Sequence, residues 1–200
     1  PDAGLEYNRD NLKDDMWGYN RYTKQTVNIG SAFLQNEWKN EKWSILLGGR
    51  LDKHNLINHV IFSPRANLRF NPSEDINLRL SYSSGFRAPQ AFDEDLHIEN
   101  VGGTVSMIER AKNLKEEKSQ SFSASADMYH RFGAFQVNFL VEGFYTRLSD
   151  VFVLENIGER DGILIKERRN GSGAKVLGLS MEGKMAYLSL FQLQAGVTLQ

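Results

Sequence analysis

INLRLSYSSGF, residues Ile76–Phe86, puts Ile76, Leu78, Leu80, Tyr82 and Phe86 on one side of an extended chain. Asn77, Arg79, Ser81, Ser83 and Gly85 fall on the other. Side chains of a strand alternate between faces, so this stretch predicts a ribbon with one oily and one polar surface. The pattern continues backwards across the turn Asn71-Pro72-Ser73, where Ala66, Leu68 and Phe70 alternate with Arg65, Asn67 and Arg69. Arg65, Arg69 and Arg79 therefore share the polar side of a predicted hairpin.

The same period runs through Phe135, Val137, Phe139, Val141 and Tyr145 against Gln136, Asn138 and Glu142, and again through Phe191, Leu193, Ala195, Val197 and Leu199. Further strands are predicted at about Thr26–Trp38, Trp43–Asp52, His59–Phe70, Ser119–Arg131 and Ala174–Leu188. These are long for a globular protein and suit tilted strands crossing a bilayer, which need about 9–11 residues. Tight turns at 39–42, 71–75, 132–134 and 189 alternate with broad connections at 53–58, 87–118 and 149–173. Short turns at one end and long loops at the other are what a transmembrane β-barrel presents to the periplasm and the exterior. The expected fold is all-β, an antiparallel up-and-down meander forming part of such a barrel. Residues 1–25 are expected to be the end of an extracellular loop, and 26–200 a partial barrel of about eight strands with long loops at 87–118 and 149–173.

Aromatic residues mark the two expected interfaces. Trp38, Trp43, Phe70, Phe132, Phe135, Tyr187 and Phe191 lie beside the short turns, and Tyr82, Phe86, Tyr145 and Phe152 toward the other end. Girdles of this kind suit the headgroup region, although aromatics also favour strands in general.

Composition is compatible with this reading but does not demand it. The 200 residues are 40% hydrophobic and 24% charged, with a net charge of -1. An ordinary globular domain has similar figures, and so has a barrel, because only alternate strand residues meet lipid. No apolar run is long enough for a membrane-spanning helix, which leaves a closed sheet as the spanning solution. The near-neutral charge without a basic run leaves nucleic acid without an electrostatic footprint. Cysteine is absent, and no secretory leader is visible at Pro1. A soluble β-sandwich also alternates, but its Greek-key crossovers would break the short-long order of the turns.

Gly85-Phe86-Arg87-Ala88-Pro89, at the start of the longest connection, resembles a segment of the TonB-dependent receptors of the Gram-negative outer membrane. So do Asn113-Leu114-Lys115-Glu116-Glu117-Lys118-Ser119, Phe33-Leu34-Gln35-Asn36-Glu37-Trp38 and Gly173-Ala174-Lys175-Val176-Leu177-Gly178-Leu179 ahead of Glu182. The resemblance implies an outer-membrane receptor and transporter that takes up a scarce small-molecule nutrient, such as an iron siderophore, haem, cobalamin or a glycan. It implies TonB as the energy-delivering partner, outer-membrane lipid around the wall, and a plug inside a barrel of about 22 strands. So many strands would need more than this chain, so the chain is expected to be an internal piece. The rivals are a complete small barrel of about eight strands, or an adhesin without active transport.

Trp17, Tyr19, Arg21 and Tyr22 in the first expected loop, and Arg87, Gln90, Phe92 and His97 in the long one, are candidate ligand-binding residues. Their rings and guanidinium groups can stack on and pair with an anionic or ring-bearing nutrient. Arg65, Arg69, Arg79 and Glu142 are expected to face the lumen or plug. No catalytic residue, metal site or cofactor is expected: His54, His59, His97 and His130 are scattered, and Gly171-Ser172-Gly173-Ala174-Lys175 lacks phosphate-loop spacing. The cluster Asp93, Glu94, Asp95, His97 and Glu99 has oxygen donors suited to calcium, but reads more simply as a solvated acidic loop.

Overall fold

The computed structural model describes residues 1–91, 93–96, 99–101 and 104–200. Its strands are β1 (Asp2–Met16), β2 (Arg21–Lys39), β3 (Trp43–His54), β4 (Val60–Ser73), β5 (Ile76–Arg87), β6 (Glu99–Val101), β7 (Thr104–Arg110), β8 (Glu117–Phe132), β9 (Phe135–Ser149), β10 (Phe152–Arg160), β11 (Ile163–Asn170), β12 (Ala174–Tyr187) and β13 (Phe191–Leu199). Helical structure among the described residues is confined to α1 (Asp93–Leu96) and a 3-10 turn at Trp17–Tyr19. No helix there is long and apolar enough to cross a membrane.

Nine strands form one sheet in the order β1-β2-β3-β4-β5-β8-β9-β12-β13. Every neighbouring pair in it is antiparallel. The register converts the alternation within each strand into two continuous surfaces. Leu80 stands opposite Leu68 and Ala124, Tyr82 opposite Ala66 and Phe122, and Met181 opposite Val141 and Val197. On the reverse face one row runs Ser44, Arg69, Arg79, Ser125, Glu142, Ser180, Thr198.

Among the described residues no second layer covers the oily surface: Leu80 is 54% exposed and Leu47 50%. Leaving a sheet face this apolar uncovered is unfavourable in water and natural in hydrocarbon. Rings cluster beside the short turns, where Trp43 stacks on Phe70 at 4.0 Å and Tyr187 lies 4.7 Å from Phe135 and 5.8 Å from Phe191. At the opposite end a small buried cluster of Ile57, Ile61 and Ala88, with Phe86 against it, anchors the start of the 87–118 connection.

The structure departs from the expected segmentation in two places. Residues 1–25, expected as the end of a loop, instead carry β1 and the start of β2, paired without interruption from Asp2↔Gln35 to Met16↔Arg21. Strands of 15 and 19 residues exceed the roughly 9–11 residues that a tilted strand needs to cross a bilayer, and the β1–β2 ladder holds over its whole length without apolar alternation in β1. Residues 26–200 contribute eight strands to the main sheet, and β1 is its ninth. The connections 87–118 and 149–173 are not plain loops, because they supply β6, β7, β10 and β11 to a second sheet in the order β10-β11-β7-β6.

Candidate functional site

The second sheet begins with a local signal. Asp161 and Gly162 both take positive φ, 54° and 77°, the conformation a tight Asp-Gly hairpin requires. This closes β10 on β11. β11 then pairs in parallel with β7, from Ile163↔Val105 to Arg168↔Arg110, and so joins the two long connections. Ile108 and Ile165 are buried within it.

Beneath this cap sits a buried ionic centre. Nε and Nη2 of Arg168 both donate to Asp95 Oδ1, at 2.7 Å each, with both side chains almost fully enclosed. The main-chain carbonyl of the same Asp95 accepts a hydrogen bond from Arg21 Nη2. Arg110 belongs to the same neighbourhood: burial pushes its pKa below the ordinary guanidinium value, Asp95 opposes that, and the charge of Arg21 adds to it. One residue of the 87–118 connection thereby ties together the first hairpin and the 149–173 connection.

Between the first hairpin and the cap lies a cavity of about 370 Å³, whose lining includes Tyr19, Arg21, Tyr22, Ile108, Glu109 and Arg160. Arg160 Nη1 pairs with Glu109 Oε1 at 3.0 Å. Trp17 packs its ring edge-on against Tyr22 at 5.4 Å and 83°. Arg21 Nη1 is enclosed and has no hydrogen-bond partner among the described residues. A desolvated guanidinium N–H left unpaired is costly, and the cavity beside it offers charged groups and tyrosine rings to a polar ligand with a flat or apolar part.

Of the expected binding residues, Tyr19, Arg21 and Tyr22 line this cavity, and Trp17 supports it. Arg87 lies elsewhere, over the Phe152 ring at 5.6 Å. Gln90 is also apart: its Oε1 lies 3.4 Å from Nε2 of the fully buried His54, whose Nδ1 accepts the Leu56 N–H at 3.0 Å. That acceptor role leaves the ring proton on Nε2, facing Gln90. Phe92 and His97 lie outside the described residues. Asp95, read from sequence as part of a solvated acidic loop, is buried against Arg168 instead, because the parallel pairing of β7 and β11 encloses it. Arg160 and Glu109 were missed: the Asp161-Gly162 turn was a signal for the hairpin that carries Arg160, whereas Glu109 on β7 had no such signal.

A larger hollow of about 770 Å³ lies on the sheet's apolar side, among Leu68, Leu80, Tyr82, Phe122 and Tyr145. Its walls offer little to a polar ligand and suit acyl chains. Arg65, Arg69, Arg79 and Glu142 share the opposite, polar face.

Residues 2–199 match the family described as "TonB dependent receptor-like, beta-barrel". No curated protein sequence matches the chain. Among solved structures, the siderophore receptor PirA from Pseudomonas aeruginosa superposes with a TM-score of 0.76 at 17% identity, covering 98% of this chain and 38% of that one. The ferric enterobactin receptor PfeA from Pseudomonas aeruginosa, in a mutant solved with enterobactin, gives 0.70 at 17% identity, over 99% of this chain and 33% of its own. The Serratia marcescens hemophore receptor HasR, solved with its hemophore HasA and heme, gives 0.71 at 14%, over 98% and 38%. At such identities the likeness is one of fold, and this chain spans well under half the length of each.

Proposed function

Because this chain belongs to the TonB-dependent receptor β-barrel family, we propose that it supplies part of the wall and outer cap of an outer-membrane receptor that binds and imports a scarce nutrient with energy delivered by TonB. The observation that carries the binding half of this reading is the cavity that the first hairpin and the cap enclose together, lined by the Arg21 side chain and by Tyr19 and Tyr22. The cargo it favours combines acceptor oxygens with a flat or apolar body. Iron siderophores and haem fit that description better than cobalamin or neutral glycans, and the solved relatives named above are siderophore, ferric enterobactin and hemophore receptors.

In this scheme cargo docks under the cap, against the positive charge of Arg21 and the rings of Tyr19 and Tyr22. The polar face with Arg65, Arg69, Arg79 and Glu142 lines the interior, while the apolar face meets lipid. Import follows when TonB acts on the parts of the receptor that gate the barrel.

The test is cargo uptake by cells in which the gene is deleted and then restored, with and without TonB. Radiolabelled ferric siderophores, haem and cobalamin are offered in turn. TonB-dependent accumulation of one of them, lost on deletion, is expected. Equal accumulation of all of them in deleted and restored cells would overturn the proposal.

A further inference from the structure

The first residues of the 87–118 connection are fastened at a point where His54 stands. His54 is the last residue of the 12-residue β3, past the roughly 9–11 residues that a crossing from the short-turn end takes. Its side chain is fully buried. Nδ1 accepts the Leu56 N–H at 3.0 Å, and Nε2 lies 3.4 Å from Gln90 Oε1. Beside Gln90, the Ala91 N–H donates to Gln25 Oε1 on β2 at 2.7 Å. Ala88 is buried with Ile57 and with Ile61 of β4. The stretch 88–91 is thus tied to β2, to the end of β3 and to β4. Shortly after it comes Asp95, which holds Arg168 and Arg21 and with them the cap.

This arrangement accepts only a neutral imidazole. A proton on Nδ1 would set two N–H groups against each other and leave the Leu56 N–H without its acceptor. The described groups around the ring offer no compensating charge. Asp52, on the same side of β3, is committed to Ser31 and Arg50, and Lys53 donates to the Ile57 carbonyl. From β2 come Ile29, opposite His54 in register, and Gln25; from β4 Ile61; and from the connection Gln90, all uncharged. His59 and Glu116 pair with each other, and Arg87 lies over the Phe152 ring. Burial accordingly pushes the His54 pKa below the ordinary 6.5, against a smaller opposing effect of the Gln90 hydrogen bond. A base whose folded pKa is depressed contributes its full stabilisation above the unfolded value. That contribution is lost as pH falls from there toward the folded value.

We propose that His54 is a proton-operated latch, which fastens residues 88–91 and through them the cap while it is neutral and releases both when it takes up a proton. The latch stands on the fold alone; that its release uncovers the cavity to cargo rests on the receptor reading.

The experiment is amide hydrogen exchange of the full-length receptor in outer membranes, read by mass spectrometry from about pH 7.5 to about pH 5 and corrected for the intrinsic pH dependence of exchange. Exchange at 55–57 and 88–91 should rise by about tenfold for each pH unit below 6.5 until the folded value is reached. β7 and β11 should follow, and β9 should stay unchanged. His54→Gln, which keeps an acceptor but does not titrate, should abolish the rise. Gln90→Glu should shrink it several-fold, because a carboxylate facing Nε2 lets the fastened form hold the proton. Heat-modifiable gel mobility verifies that each variant is folded, and if His54→Gln is not, Gln90→Glu decides with His54 in place. Exchange indifferent to pH, a rise that survives His54→Gln, a rise unaltered by Gln90→Glu, or one that leaves β7 and β11 untouched would overturn the proposal. Cargo uptake with and without TonB tests the receptor reading separately, so a failed exchange result with uptake intact removes the latch alone.

Discussion

Asp95 and Arg168 stand 73 residues apart in the chain, yet one carboxylate oxygen of Asp95 receives both Nε and Nη2 of Arg168 at 2.7 Å. Neither side chain is more than 5% exposed. A buried pair is weak evidence for net stability, since desolvation offsets much of the attraction, but it makes each partner dependent on the other. Here the dependence is architectural: the pair joins connections that leave the main sheet at different strands, and the Asp95 carbonyl adds Arg21 from the first hairpin.

Asp95→Ala should therefore loosen the cap and leave the wall intact. Removing one partner of a buried ion pair costs about 3–5 kcal/mol, because the other charge is left uncompensated. Hydrogen exchange read by mass spectrometry should quicken across β7 and β11 and stay unchanged in β8 and β9. Equal quickening in all of them would mean that the pair supports the whole sheet.

Arg21→Gln should weaken cargo binding by about tenfold or more, as expected for removing a charge-assisted hydrogen bond from an enclosed site. Arg21→Lys should recover only part of the loss, since an ammonium cannot reproduce the planar fork. Titration of purified receptor with the transported cargo reads both effects. Full affinity in Arg21→Gln would remove the cavity from the binding site.

Gly178→Ala should destabilise the wall. A methyl group there would run into the Phe144 ring and lie 2.7 Å from the Leu199 carbonyl oxygen. The ring can turn but the strand backbone cannot, so a cost of about 1–3 kcal/mol is expected from overpacking. Gly143→Ala is the control, because a methyl there meets nothing within 4 Å. Denaturant unfolding of reconstituted protein should separate the two variants.

Acid should release the anchor at the entry to β8. Burial favours the protonated form of Glu116, but its own backbone N–H, the hydrogen bond and charge of Lys118 and the charge of His59 outweigh that, so its folded pKa lies below the ordinary 4.5. Lys118 Nζ is 3.0 Å and His59 Nε2 3.2 Å from Glu116 Oε1. A carboxylate with a depressed folded pKa stabilises the fold above its unfolded pKa, and that contribution is lost as pH falls through the folded value. Exchange protection around 111–118 should thus hold at neutral pH and decline below about pH 4.5. In Glu116→Gln this acid-dependent step should vanish; its persistence would assign it to other groups.

The wall was legible residue by residue because its cause is local. The pleat fixes a period of two, and a sheet with one apolar and one polar face carries that period in stretches such as Ile76–Phe86. Where that contrast is weak, so is legibility: Asp2–Met16 shows no clear alternation to read, and β1 is defined by its pairing with β2. Tyr19, Arg21 and Tyr22 could be singled out by residue type alone. Their common cavity with Ile108, Glu109 and Arg160 came from a parallel pairing of β7 with β11 that sets Ile108 beside Lys166. Contacts across such separations are selected by the free energy of the assembled cap, through burial of Ile165 and mutual neutralisation of Asp95 and Arg168. Nothing in the neighbourhood of either residue along the chain encodes the other, which is why that part of the molecule emerged only once the chain was folded.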